Sequence, residues 1–153
     1  MKNYILILML WAGLGASAQT QQAYHFDLAG HWNDTSLASL SNPFSSARQI
    51  WNDLIGWTDP ANGKEYVIMV SIDSIYFFDV TNPADIKKCD VYWGLNQAIN
   101  RDFETFGHYV YCVVDNAPPG ALQIFDLQYL PDSVHLVKND SALSSNTHSI
   151  FID

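Results

Sequence analysis

Cysteine is scarce in this chain, with Cys89 and Cys112 the only two among 153 residues. Two thiols cannot supply the framework of bridges that holds small exported domains together. Basic residues are also thin. Seven Lys and Arg stand against sixteen Asp and Glu, for a formal net charge of −9, and they are scattered. A duplex-binding surface concentrates Lys and Arg, so nucleic acid is excluded as a partner. The chain contains no Gly-x-Ser-x-Gly elbow, no His-Glu-x-x-His and no phosphate-cradling glycine loop. The common hydrolase, zinc-protease and nucleotide-binding signatures are therefore without support.

Only the start of the chain is continuously apolar. Lys2 precedes the run Tyr4 to Leu14, and Ala16-Ser17-Ala18 offers small residues for cleavage. The run is too short to span a bilayer comfortably and has the layout of a signal peptide over 1–18, leaving Gln19 at the mature N-terminus. No later stretch reaches transmembrane length. The expectation is an exported chain without a membrane span, made one unit more negative by the loss of Lys2. No cysteine near the cleavage point offers a lipid attachment site. An exported compartment permits a bridge between Cys89 and Cys112, but Cys112 sits inside an apolar strand, and free thiols are expected.

The body of the chain repeats. Tyr66 to Val80 is an apolar strand, a turn and a second strand ending in Phe78-Asp79; Tyr109 to Leu127 has the same plan and ends in Phe125-Asp126. The opening Tyr-Val pairs are 43 residues apart and the Phe-Asp pairs 47, the difference lying in a longer turn, Asp115 to Gly120. An all-strand unit recurring at roughly 40–50 residues predicts the blades of a β-propeller.

Around these hairpins the other elements fall into place. Residues 19–48 are expected to hold a short strand near Tyr24 to Leu28, suited to completing a blade, and a Ser-rich loop from Thr35 to Ala47 around Asn42-Pro43. Gln49 to Trp57 reads as the first strand of unit one, followed by the turn Asp59-Pro60-Ala61-Asn62-Gly63. The unbroken apolar run Tyr66 to Val70 implies cover on both faces. Asp79 is placed to accept backbone N–H groups of the turn that follows it. Lys87 to Trp93 suits an exposed outer strand. In unit two, Asn100 to Phe106 is the first strand, Gly107-His108 the turn, and Val134 to Lys138 the outer strand. Thr147 to Asp153 then reads as the first strand of a third unit. The fold class is all-β, with 49–153 holding about two blades and the first strand of a third. Since a propeller needs about four blades to close, the sequence reads as the N-terminal part of a longer protein.

Aligning the units brings out one constellation. Asn52-Asp53, Arg101-Asp102 and His148-Ser149 open the first strands, which in a propeller are innermost and ring one mouth of the central channel. Such mouths are where ligands bind. Asn52, Asp53, Arg101, Asp102 and His148 are the candidate ligand-binding residues. Asp53, Asp102 and His148 are the candidates to ligate a divalent cation, and Arg101 can grip a carboxylate or phosphate. A structural role competes with these, in which the same groups satisfy one another and trapped water, holding the units in register. Asp59, Asn62 and Asp115 read as turn formers. Trp51, Trp57 and Trp93 read as packing aromatics before sugar platforms. Asn33-Asp34-Thr35 and Asn139-Asp140-Ser141 match the short glycosylation pattern. His25, His108 and His135 have no partner in the sequence.

Several phrases resemble a known family. Trp51 to Trp57 with the Asp59 to Gly63 turn and Lys64-Glu65-Tyr66 resembles the opening blade of the choice-of-anchor B family. Tyr76 to Pro83 and Leu122 to Leu127 resemble its LVIVD repeat, and His31-Trp32-Asn33-Asp34 an upstream phrase. Arg101-Asp102, Asp115 and His148 match its Arg-Asp pair, its Asp after the second strand and its His. Asn100 and Ser149 depart from it, where an aromatic and an Asn are usual. The resemblance implies a bacterial, exported LVIVD-type β-propeller with an anchoring or sorting segment beyond Asp153, and no established enzymatic activity.

These readings point to a non-enzymatic module for binding or scaffolding at the cell surface or outside the cell. Its partner would be an extracellular ligand or surface protein. The alternative is an extracellular hydrolase or lyase using Asp53, Asp102 and His148 as acid and base.

Overall fold

A computed structural model describes residues 27–41, 46–94, 97–115 and 121–153. The expected signal peptide, most of the expected strand at 24–28 and all but Asp115 of the long turn lie outside these residues. The described chain is all-β and holds ten strands in three antiparallel sheets. β1 (Leu40–Ser41) and β2 (Arg48–Gln49) form a small ribbon. β3 (Trp51–Thr58), β4 (Glu65–Ser71), β5 (Ser74–Asp79) and β6 (Lys87–Trp93) form a four-stranded meander. β7 (Arg101–Phe106), β8 (Tyr109–Val114), β9 (Leu122–Asp126) and β10 (His135–Asp140) form a second. Among the described residues, the two meanders do not close into a ring, and no helix is long and apolar enough to cross a membrane.

The turns follow their local chemistry. The Asp59 carboxylate accepts the Ala61 N–H at 2.8 Å and the Asn62 side-chain amide at 2.6 Å. Gly63 and Gly107 close their hairpins at φ of 73° and 62°, angles that cost other residues the clash of a Cβ. Asp79 Oδ1 accepts the Thr81 N–H and Asp126 Oδ1 the Gln128 N–H, both at 3.0 Å. The two Phe-Asp endings thus do the same job.

The meanders stack face to face. Side chains alternate along each strand, so β4 and β5 send Tyr66, Ile68, Val70, Ile75 and Phe77 to one side. There they meet Phe103, Val110, Cys112 and Phe125 of the second meander in one buried cluster. Phe77 lies 5.6 Å from Phe125 and Tyr92 5.0 Å from it, edge to face. Polar stitches cross the same interface. The Trp57 indole N–H donates to Gly107 O at 2.9 Å, the Tyr92 hydroxyl donates to Val134 O at 2.8 Å, and Asp90 Oδ2 accepts the Val134 N–H at 2.9 Å. Cys89 and Cys112 are free thiols, and Cys112 packs as a small apolar group in this cluster.

Five expectations are corrected. The apolar run of β4 is fully covered on one side only, since Val67 and Met69 on the other are half-buried. Trp32 supplies part of that second cover, lying 4.6 Å from Phe78 and 5.7 Å from Trp51 by ring centroids. The loop 35–47 contains β1, tied to β2 by Arg48 Nε donating to Ser39 Oγ at 2.6 Å, and Gln49 belongs to β2 rather than to β3. Asp27 and Leu28 carry no strand. Residues 147–153 are not a strand either. Among the described residues they have no ladder partner. A main-chain carbonyl, Val114 O, takes the Thr147 N–H at 3.0 Å, but the Ile150 N–H is taken by a side chain.

Candidate functional site

The opening strands β3 and β7 run close together where the meanders meet. β3 pairs Trp51 with Ser71 and Leu54 with Met69, so Asn52 and Asp53 together oppose one residue of β4, in a β-bulge. A bulge re-aims side chains that regular alternation would send to opposite faces. Here both polar groups reach β7. Asn52 Oδ1 accepts the Arg101 N–H at 2.7 Å, and Asp53 lines the same cavity as Arg101 and Asp102.

The next joint repeats this one. Asp102 Oδ2 accepts the Ile150 N–H at 2.8 Å. When the units are aligned, Asp102 corresponds to Asp53 and Ile150 to Phe103. A polar side chain at the head of each unit, Asn52 in the first and Asp102 in the second, holds the backbone of the next, which is the registering role weighed above. It does not exhaust the site. Asn52, Asp53, Asn100, Arg101, Asp102, His148 and Ser149 line one cavity of about 350 Å³. All five candidate residues are therefore brought together, with Asn100 and Ser149 added.

Charge within the cavity wall is unevenly disposed. Arg101 is 4% exposed and donates from Nη2 to Gly94 O at 2.6 Å. Burial draws its guanidinium below the ordinary value, with the neighbouring Cys112 opposing that effect. Burial pushes the Cys112 thiol up to about 12, so it stays neutral. The Asp53 and Asp102 carboxyls share the cavity wall. Burial raises the Asp53 carboxyl above its ordinary 3.8, and the neighbouring Asp102 carboxyl adds to the rise, against the Leu54 and Phe103 N–H groups.

His148 stands apart from that pair. Its Nδ1 lies 2.6 Å from Asp115 Oδ2, with the imidazole largely exposed and the carboxylate buried. Among the described residues, no three His, Cys, Asp or Glu side chains gather to hold a metal ion. Asp53, Asp102 and His148 line one cavity, with the imidazole turned to Asp115. Asp115, read from sequence as a turn former, is the residue that reading missed. Trp57 is core, as expected, and the exposed Asn33 of the first sequon accepts the Trp51 indole N–H at 3.0 Å.

Gly94 makes room for Arg101. A Cβ there would sit 2.8 Å from the guanidinium carbon. Gly94→Ala is expected to displace the guanidinium and lower stability by ~1–3 kcal/mol, read as a fall in the urea midpoint with unchanged slope. An unaltered midpoint would show that the arginine is not held at this carbonyl. Comparison with protein-family models, with curated proteins and with solved structures gives no match for this chain.

Proposed function

We propose that this chain belongs to an exported, LVIVD-type β-propeller of the choice-of-anchor B kind, a non-enzymatic module that binds or scaffolds outside the cell. Its ligand sits at the mouth of the central channel. One observation carries the reading: aligned positions of successive units, Asn52-Asp53, Arg101-Asp102 and His148-Ser149, wall a single cavity. Repeat architectures build binding surfaces from equivalent positions of neighbouring units. The signal-like segment at 1–18 supports export.

Amide-shift mapping tests this. Divalent cations, small carboxylates and neutral saccharides are added in turn to the labelled chain. The expected responders cluster at Arg101, Asp102 and Ser149, and Asp102→Ala abolishes the response while the spectrum stays dispersed. Responses confined to other surfaces, or none across the panel, defeat the proposal.

The carboxyl pair favours a second reading. A raised Asp53 beside Asp102 has the makings of a general acid and base for an extracellular hydrolase or lyase. Turnover that disappears in Asp53→Asn with folding retained would select it.

A further inference from the structure

The two meanders meet through unlike faces. Aligned on their Tyr-Val openings, Tyr66, Ile68 and Phe77 of the first correspond to Tyr109, Tyr111 and Ile124 of the second. Leu54, Val67, Met69 and Phe78 correspond in the same way to Phe103, Val110, Cys112 and Phe125. In the buried cluster, Tyr66, Ile68 and Phe77 of one meander meet Phe103, Val110, Cys112 and Phe125 of the other. The leading face of the first unit is thus packed on the trailing face of the second. A joint between unlike faces leaves one of each kind unused, and it can be repeated.

Both unused faces are apolar. Alternation turns Tyr109, Tyr111 and Ile124 away from the first meander, and all three are half-buried where their counterparts are fully buried. On the opposite side Leu54 is 59% exposed where its counterpart Phe103 is 4%, and Val67 and Met69 are half-buried. The ring of Phe78 lies under Trp32, at 4.6 Å and 54° between planes. Its counterpart Phe125 receives Tyr92 of the neighbouring unit at 5.0 Å and 64°. Trp32 therefore stands where a neighbouring unit's aromatic stands at the joint already made. Its arm fits closely, since a Cβ on Gly30 would lie 2.0 Å from Pro83 O. The two faces also carry opposite charges. Glu104 is paired with Tyr111 on the leading face, and exposed Lys88 with Phe78 on the trailing face.

We propose that the trailing face of the first meander docks the leading face of the second meander in another copy of this chain, with Trp32 as the displaceable plug of that joint. The occupant is a second copy because the packed joint shows which side chains such a face accepts, and the same chain carries their counterparts, unused, on its far side. Seated, the indole keeps the docking face closed. Lifted, it leaves an apolar strip of Leu54, Val67, Met69 and Phe78 for the other copy's Tyr109, Tyr111 and Ile124 to cover, with Lys88 drawn to Glu104. This joint does not depend on the cavity being a ligand site.

Sedimentation velocity at increasing concentrations of the chain from Gln19 onward tests it. Gly30→Ala drives the arm off without altering either face, and so raises the fraction of chains whose docking face is open. The apparent dissociation constant is expected to fall about tenfold or more. Trp32→Ala is expected to do the same, and serves if Gly30→Ala does not fold or leaves the indole seated. Adding Leu54→Glu on the trailing face, or Tyr111→Glu on the leading face, is expected to return either variant to monomer. Mixed together, the two blocked proteins are expected to form a one-to-one dimer that grows no further, because each keeps the face the other has lost. No gain in association when the arm is freed, with the amide spectrum still dispersed, overturns the proposal. Association that survives Leu54→Glu does so too, by placing the contact elsewhere. A mixture of the blocked proteins that stays monomeric rejects a second copy as the occupant of this face.

Discussion

Phe77→Ala is expected to cost ~3–5 kcal/mol, the range for deleting a fully buried aromatic side chain. Phe77 is 0% exposed and sits where the meanders meet, against Phe125 and Tyr92. Total stability of a domain is about 5–15 kcal/mol, so the loss removes a large share of it. Urea denaturation is expected to show a midpoint lowered by about 1 M or more. A double-mutant cycle with Phe125→Ala isolates the ring–ring contact, with a coupling of ~0.5–1.5 kcal/mol. Effects that simply add would mean that the two meanders are not packed through these rings.

Trp32→Ala comes next. A tryptophan buries about 150–250 Å² when covered, and Trp32 is half-buried. At ~25 cal/mol per Å² the loss is about 2–3 kcal/mol. The indole lies on Trp51, Tyr76 and Phe78, so its removal also bares an aromatic face to water. The expected signs are a lower urea midpoint and a weakened near-ultraviolet circular dichroism signal. A variant as stable as the native chain would show that residues 30–33 do not seat on this sheet.

How much of this was legible follows from what each residue needed. The hairpins of both units were readable because β-branched and aromatic runs bounded by Asp-Pro, Asn-Gly and Gly-His carry both strand and turn in their own residues. Asn52, Asp53, Arg101, Asp102 and His148 were placed together by aligning the repeats, which needs no knowledge of side-chain direction. What could not be read depends on contacts distant in the chain. Nothing local to Asp115 says that His148, 33 residues on, will reach it. The strand expected at 147–153 has the right composition, but a strand is defined by a neighbour's ladder. Trp32 looked like part of a recurring phrase, and its use as a lid over Tyr76 and Phe78 required knowing which face of β5 was bare. The partners of the cation candidates were equally hidden: Asp102 and His148 share a cavity with Asp53, but their bonds to Ile150 and Asp115 span 48 and 33 residues.

The inserted residue in β3 has no equivalent in β7, whose pairing with β8 runs without a break from Arg101 to Phe106. Had the units been true copies, the cavity would offer a guest several interchangeable poses related by rotation from one unit to the next. The insertion removes that degeneracy. Two polar groups arrive from one wall where its neighbour sends a cation and a carboxyl, so the walls of the chamber are inequivalent and it has a handedness of its own.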